Sequence, residues 1–190
     1  MAPDPNLANI AVVLPPARAL EVSQDRLVEK QFLNAHGVAT ASYRQVDSRD
    51  DLDTAVADMG LPAVLKTRRL GYDGRGQVVL RTRYDLDSAW ATLGSAPLIL
   101  EDFVIFNREL SIIGVRGTDG DVRCYPLVEN QHAEGILRLS FAPAFGVPAG
   151  LQVEAEAAMR SVLEALDYVG VLTIELFEQE GRLLANEIAP

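Results

Sequence analysis

The segment Ala63-Val64-Leu65-Lys66-Thr67-Arg68-Arg69-Leu70-Gly71-Tyr72-Asp73-Gly74-Arg75-Gly76-Gln77 constrains this chain more than any other. An apolar strand ends in Lys66, passes Arg68 and Arg69, and enters a loop with glycines at 71, 74 and 76 and a further cation at Arg75. Glycines let a backbone turn sharply and approach a ligand closely. Consecutive backbone N–H groups flanked by cations form a cradle for phosphate oxygens. A P-loop is excluded, because no G-K-[ST] follows Gly71 at the required spacing. A dinucleotide fingerprint is excluded as well: the order is G-x-x-G-x-G, and it runs into the strand-like Gln77-Val78-Val79-Leu80 rather than a helix. A solvated glycine hairpin has the same local spacing, so the loop alone leaves that alternative open.

The cations of this loop stand out because the chain is acidic, with a formal net charge of −10. Such a balance disfavours a nucleic-acid partner, whose binding relies on a basic surface. Hydrophobic residues make up 48% and charged residues 23%, enough to bury a core. The single cysteine, Cys124, cannot form an internal disulfide and reads as a small hydrophobe on a strand, which fits a reducing compartment. No run approaches the roughly 18 apolar residues of a membrane span, and the first residues lack the pattern of a signal peptide. The expected location is cytoplasmic.

Residues 1–22 are Pro- and Ala-rich and read as a tail or the remnant of a preceding lobe. Ser23 is a candidate N-cap for a helix to about Ala35, ended by Gly37. Ser48 opens a second helix, with Leu52, Ala55, Val56 and Met59 on one face and Gly60 at its end. Leu86, Ala89, Trp90 and Leu93 repeat that pattern before Gly94. Short strands are expected at 43–46, 63–66, 77–81 and 98–102. Beyond them the pattern turns to long strands at 109–115 and 122–128, joined by Thr118-Asp119-Gly120-Asp121, and at 136–142. One strong helix carries Ala155, Ala158, Met159, Val162, Leu163 and Leu166, before strands at 168–177 and 183–188. The alternation predicts an α+β fold of two lobes, 23–103 and 104–190.

Glu175 and Glu187 form a second constellation. A hairpin centred on Gly181 pairs residues whose numbers sum to 362, which sets Glu175 opposite Glu187 on one face. Like charges directly opposite are destabilising, by roughly 3 kcal/mol at about 5 Å and an effective dielectric of about 20. A hard divalent cation reverses the sign of that term, and magnesium is commonly held by one or two carboxylates together with substrate phosphates. A register shifted by one residue would instead leave one glutamate in solvent. Cations for phosphate and a carboxylate pair for magnesium make an inventory for ATP chemistry without a P-loop. Ile99-Leu100-Glu101-Asp102-Phe103-Val104 ends an apolar strand at the lobe boundary, where main-chain groups can read a purine, and Glu109 is placed to accept from ribose hydroxyls. Each of these segments also reads as structural when taken alone.

Together the residues resemble the 5-(carboxyamino)imidazole ribonucleotide synthases, ATP-grasp enzymes of de novo purine synthesis. The resemblance rests on Gln24-Asp25-Arg26 with Glu29-Lys30, on Lys66 to Gln77, on Glu101 to Val104, and on Glu109-Leu110-Ser111. It continues through Tyr125-Pro126-Leu127 with Asn130 and His132, Gly135 to Arg138, Tyr168 to Val171, and Asn186-Glu187-Ile188-Ala189-Pro190. It implies an ATP-grasp fold with ATP between the lobes, and ATP, magnesium, bicarbonate and 5-aminoimidazole ribonucleotide as ligands. It implies ATP contacts at Arg26, Lys66, the loop Gly71, Tyr72, Asp73, Gly74, Arg75, Gly76 and Gln77, Glu101, Asp102, Phe103, Val104, Glu109, His132, Asn186 and Glu187. Glu175 and Glu187 would hold the magnesium, and Tyr72 and Arg75 would face the acceptor and the carboxylating species. His132 on a β segment, read without the family, is a structural histidine.

The family's proteins are longer, so the resemblance also implies that an N-terminal Rossmann-like lobe and a C-terminal lobe are missing here. The complete enzyme is expected as a homodimer without a nucleic-acid or membrane partner. A nucleotide-binding module without turnover, or another ATP-grasp carboxylase, is the alternative.

Overall fold

The computed structural model describes residues 13–71, 76–133 and 135–190. Two antiparallel sheets carry the fold. The smaller is built from β1 (Tyr43–Val46), β2 (Ala63–Thr67), β3 (Gln77–Leu80) and β4 (Leu98–Asp102), in the order β1-β4-β2-β3. Helices α3 (Arg49–Met59) and α4 (Asp85–Leu93) cover one face. Strand alternation explains the division of labour. Ala63 and Leu65 of β2 and Leu98 and Leu100 of β4 enter the core under these helices, while Val64, Lys66 and Glu101 turn to the opposite face. Each fully buried leucine contributes about 2 kcal/mol through the area it removes from water.

The larger sheet runs β10-β9-β5-β7-β8, with β6 also paired to β5. Its strands are β5 (Arg108–Arg116), β6 (Val122–Cys124), β7 (Val128–Ala133), β8 (Ile136–Phe141), β9 (Gly170–Gln179) and β10 (Arg182–Ala189). The long helix α5 (Ala149–Ala165) packs beneath it through Leu151, Ala155, Met159, Val162 and Leu163. Two further helices, α1 (Ala17–Ser23) and α2 (Arg26–Ala35), give Ala19, Val22, Phe32 and Leu33 to this same core. The helix α2 therefore packs with the strands from the far end of the chain rather than with β1 and β2, its neighbours in sequence.

Several local expectations are corrected. Ser23 closes α1 and does not cap the next helix; its hydroxyl turns back to the Leu20 carbonyl. The N-cap of α2 is Asp25, whose extended backbone (φ −131°, ψ 110°) lets its carboxylate accept from the Leu27 N–H. The strand expected across 122–128 breaks at Tyr125–Leu127, so two short strands pair with β5 instead of one long one. Pro126 lies in that break and has no N–H to offer a ladder. By contrast, Ser48 caps α3 with a reciprocal capping box to Asp51, as the spacing predicts.

The hairpin β9–β10 turns through two residues in the left-handed region, Glu180 (φ 51°) and Gly181 (φ 77°). A two-residue loop of this kind matches the twist of its strands. It is centred between the two residues, so pairs near it sum to 361 and not 362: Arg182 faces Gln179 and Ala185 faces Leu176. A register irregularity between Ala185 and Glu187 then inserts one residue, and Glu187 pairs with Glu175. The pairing expected from the sequence is present, but the bulge at Asn186 produces it, not the position of the turn.

Candidate functional site

A cleft runs between the uncovered face of the small sheet and the β9–β10 side of the large one. Its inner part encloses about 200 Å³ and its outer part about 550 Å³. The two are continuous, sharing Lys66, Gln77, Phe106, Phe177 and Asn186 in their walls. The inner part is a slot lined by Val64, Val79, Phe103 and Val104, with Phe106 and Phe177 stacked at 4.7 Å. Arg81 lies 5.9 Å from the Phe103 ring centroid, a cation–π contact that backs this wall. The outer part is polar and brings together Arg26, Lys66, Glu109, His132, Glu175, Asn186 and Glu187.

On the small-sheet wall, Lys66 donates to Glu101 Oε2 at 2.8 Å, and Lys30 reaches the same oxygen at 3.3 Å. Burial works to raise the Glu101 pKa, but the two ammonium groups outweigh it and hold the carboxyl below its ordinary value. Lys30 is only 1% exposed, and burial pushes its own pKa down against the pull of Glu101. The second oxygen, Glu101 Oε1, is buried and has no hydrogen-bond partner. A buried acceptor left unpaired costs on the order of 1–3 kcal/mol, so a donor entering the slot would recover that cost.

On the large-sheet wall, the two carboxylates of Glu175 and Glu187 share a face, and Arg26 Nη1 donates to Glu187 Oε2 at 3.0 Å. Burial pushes the Glu175 pKa up, the Glu187 charge adds to this, and His132 and Asn186 oppose it. Glu109 on β5 lies 2.6 Å from His132 Nδ1 on β7, an ion pair when the imidazole is protonated. Helix α2 supplies a further carboxyl, Glu29, which accepts from the Ile188 N–H at 2.7 Å. Burial pushes its pKa up to about 8, with the Glu187 charge adding to the shift and the Ile188 hydrogen bond opposing it.

The stem of the glycine loop is tied at both ends. Thr67 donates its N–H to the Gly76 carbonyl at 2.8 Å, and Arg26 donates its N–H to the Arg68 carbonyl at 2.9 Å. Gly76 must be glycine on two counts: φ is +72°, and a Cβ would sit 2.6 Å from Thr67 Oγ1. Asp25 grips Arg68 with both oxygens, at 2.9 and 2.7 Å, and also takes Arg69 Nε at 3.1 Å. Burial works to raise the Asp25 pKa, but these arginines and the Leu27 N–H overcome it and hold the carboxyl below its ordinary value.

The structure thus places Arg26, Lys66, Gly71, Gln77, Glu101, Asp102, Phe103, Val104, Glu109, His132, Glu175, Asn186 and Glu187 on the walls of one cleft. Gly76 closes the loop stem. Tyr72, Asp73, Gly74 and Arg75 lie outside the described residues. Sequence reasoning missed Lys30, Phe106 and Phe177 as site residues. Lys30 carried a signal, because it falls midway between Leu27 and Leu33 on the buried stripe of α2. A lysine in an apolar stripe demands a buried partner. Among the described residues no group of three or more His, Cys, Asp or Glu side chains could by itself hold a metal. The residues present nevertheless fit a nucleotide with its cation: an apolar slot with an orphan acceptor, two lysines, and a carboxylate pair that phosphate oxygens could complete.

Two α+β layers clasping a cleft with cations on one wall and carboxylates on the other define a nucleotide-binding fold that works without a P-loop. The chain belongs to the ATP-grasp family: the ATP-grasp domain model matches residues 31–190. It is 52% identical over 184 residues to the N5-carboxyaminoimidazole ribonucleotide synthase of Pseudomonas aeruginosa, covering 97% of this chain and 50% of that protein. The crystal structure of the Thermus thermophilus N5-carboxyaminoimidazole ribonucleotide synthetase superposes with a TM-score of 0.91 at 50% identity, over 97% of this chain and 50% of that one. The Aspergillus clavatus synthase, solved with ADP and 5-aminoimidazole ribonucleotide, gives 0.87 at 27% identity, over 97% and 48%. The chain spans about half the length of the curated relatives it matches. The family expectation and the α+β ATP-grasp architecture are both borne out. No helix of the described residues is long and apolar enough to cross a membrane.

Proposed function

We propose that this chain is the nucleotide-binding portion of an N5-carboxyaminoimidazole ribonucleotide synthase, a cytoplasmic ADP-forming ligase that carboxylates 5-aminoimidazole ribonucleotide with bicarbonate. The observation that carries the reading is the arrangement of the cleft: an apolar slot with an orphan acceptor at one end, and Lys66 facing the Glu175–Glu187 pair at the other.

In this reading the adenine base occupies the inner slot against Phe103, Val104, Phe106 and Phe177, and its exocyclic amine faces buried acceptors. Glu109 takes the ribose hydroxyls, and His132 is oriented by Glu109 toward the phosphates. Lys66 and Arg26 bind phosphate oxygens, with backbone N–H groups of the Gly71–Gln77 loop closing over them. Glu175 and Glu187, with Asn186 beside them, are the residues that would hold magnesium, which neutralises charge developing on the phosphoryl group. A bicarbonate oxygen attacks the γ-phosphorus, ADP leaves, and carboxyphosphate forms. The exocyclic amine of the ribonucleotide then attacks the carbonyl carbon, phosphate departs, and the amine loses a proton. Tyr72 and Arg75 serve this second step, with the planar guanidinium suited to an oxyanion. Exclusion of water by the loop protects the labile acyl phosphate. The complete protein acts as a homodimer.

The test is ATP turnover with bicarbonate, measured as ADP release with and without 5-aminoimidazole ribonucleotide. Stimulation by the ribonucleotide supports the synthase. Magnesium-dependent ATP binding without stimulated turnover supports the binding-module reading. No ATP binding in the presence of magnesium overturns both.

A further inference from the structure

Strand β10 lies at the edge of the large sheet, so its outer N–H and C=O groups need partners beyond β9. Ala185 directs its N–H outward to the Ala39 carbonyl at 2.7 Å. In a regular strand the next outward N–H would belong to residue 187, two positions on. The bulge moves it to Ile188, and there Glu29 Oε1 receives it, at 2.7 Å and fully buried. From the next position of α2, Lys30 Nζ donates to the Asn186 carbonyl at 3.4 Å. Two adjacent side chains of one helix thus flank Glu187 on either side along the backbone.

The alternative register shows what is at stake. Without the inserted residue, pairs would continue to sum to 361, and Glu187 would face Ile174, a fully buried core residue. A one-residue slip sends a side chain to the other face of the sheet. We propose that Glu29 and Lys30 are positioning residues that latch the outer edge of β10 in its bulged register, and so keep the Glu187 carboxylate opposite Glu175 in the cleft. This rests on the proposed magnesium role of that pair. Neither latch residue need touch the nucleotide for the effect.

The test compares the wild-type chain, Glu29→Leu (similar size, no acceptor) and Glu29→Gln (acceptor retained). One readout is the magnesium concentration at half-saturation for binding of β,γ-imido-ATP, beside the affinity for that analogue without metal. The other is hydrogen exchange of the Ile188 amide. The expected result is that Glu29→Leu raises the magnesium requirement at least 10-fold and speeds Ile188 exchange at least 100-fold. Metal-free affinity should change less than 2-fold, and Glu29→Gln should restore both quantities. An Ile188 amide as protected in Glu29→Leu as in wild type overturns the proposal, as does equal weakening of metal-free and metal-dependent binding. If Glu29→Leu does not fold, wild-type exchange decides: the latch requires Ile188, though on an edge strand, to exchange as slowly as the paired amides of β9. If wild type binds no nucleotide, the functional reading falls and the exchange measurements alone decide the latch.

Discussion

The two walls of the cleft solve opposite electrostatic problems with the same economy of groups. On the small-sheet wall two ammonium groups, Lys30 and Lys66, share one carboxylate, Glu101. On the large-sheet wall two carboxylates, Glu175 and Glu187, are accompanied by one guanidinium, Arg26. One wall is left with an excess positive charge and the other with an excess negative charge, both lining one polar chamber. That polarity suits a ligand anionic along one side and paired with a cation on the other. The positive wall is buried and internally satisfied except for one oxygen. The negative wall depends on a backbone irregularity to exist at all. The first is specified by side chains, the second by register.

The largest effect that could break this comparison is expected from Lys66→Met. It removes the cation proposed above to bind phosphate oxygens and leaves Glu101 with one partner, Lys30. Loss of its charge-assisted bonds to phosphate oxygens should lower ATP affinity by calorimetry at least about 100-fold, at about 1.4 kcal/mol per tenfold. Affinity within 2-fold of wild type would show that the small-sheet wall is structural only.

Next in size is Asp25→Asn, which tests the tie between the walls, because Asp25 caps α2 and grips the loop stem. The amide keeps the cap but loses the charge facing Arg68 and Arg69, for an expected loss of about 2 kcal/mol at pH 7 in denaturant unfolding. The sign with pH follows from the depressed pKa. Wild-type Asp25 adds stability above its ordinary value of 3.8, and this is lost as pH falls below 3.8 toward the lowered folded-state value. The variant should therefore lose this part of the acid limb. Glu29 acts in the opposite sense: its raised pKa favours folding at low pH, a contribution that fades as pH climbs from 4.5 to about 8. A wild-type acid limb identical to that of Asp25→Asn would refute the Asp25 assignment.

Glu187→Gln sharpens the other side. It should raise the magnesium requirement for nucleotide binding about 10-fold, equivalent to about 1.4 kcal/mol. It should also lower the Glu175 pKa, since the Glu187 charge contributes to raising it; carboxyl NMR titration reads this directly. An unchanged Glu175 titration would mean the pair does not communicate. The smallest effect is expected from Ser48→Ala, whose capping box on α3 lies on neither wall. It should cost about 1 kcal/mol of stability and leave nucleotide affinity unaltered.

How much of this was legible in the sequence follows from the same contrast. The Lys66 strand, the glycine hairpin and the apolar β4 were readable because each rests on local pattern: alternation, glycine spacing and a continuous apolar run. Ser48 with Asp51 was readable for the same reason. Lys30 was legible as a lysine on the buried stripe of α2 but its partner was not, because Glu101 comes from β4 of the other sheet and a contact so distant in the chain leaves no periodic trace. The Glu175–Glu187 pair was named correctly from a turn centre that is off by half a residue, and the bulge at Asn186 made up the difference. A bulge has no strong residue signature, so nothing in Ala185-Asn186-Glu187 announces it. The split between β6 and β7 was visible only as Pro126, which the alternating apolar pattern around it obscured.

The cover over β10 also gives the large sheet a direction. Its β10 edge is occupied by Ala39, Thr40 and the α2 side chains, whereas β8, the strand at the other end, shows Ile136, Leu137 and Leu139 at 38–51% exposure. An uncovered apolar edge is a template for strand addition. Growth of this sheet, whether by aggregation or by recruiting another chain, is therefore expected at β8 rather than at β10. A charged substitution there, such as Leu139→Lys, is the place to guard the protein's solubility.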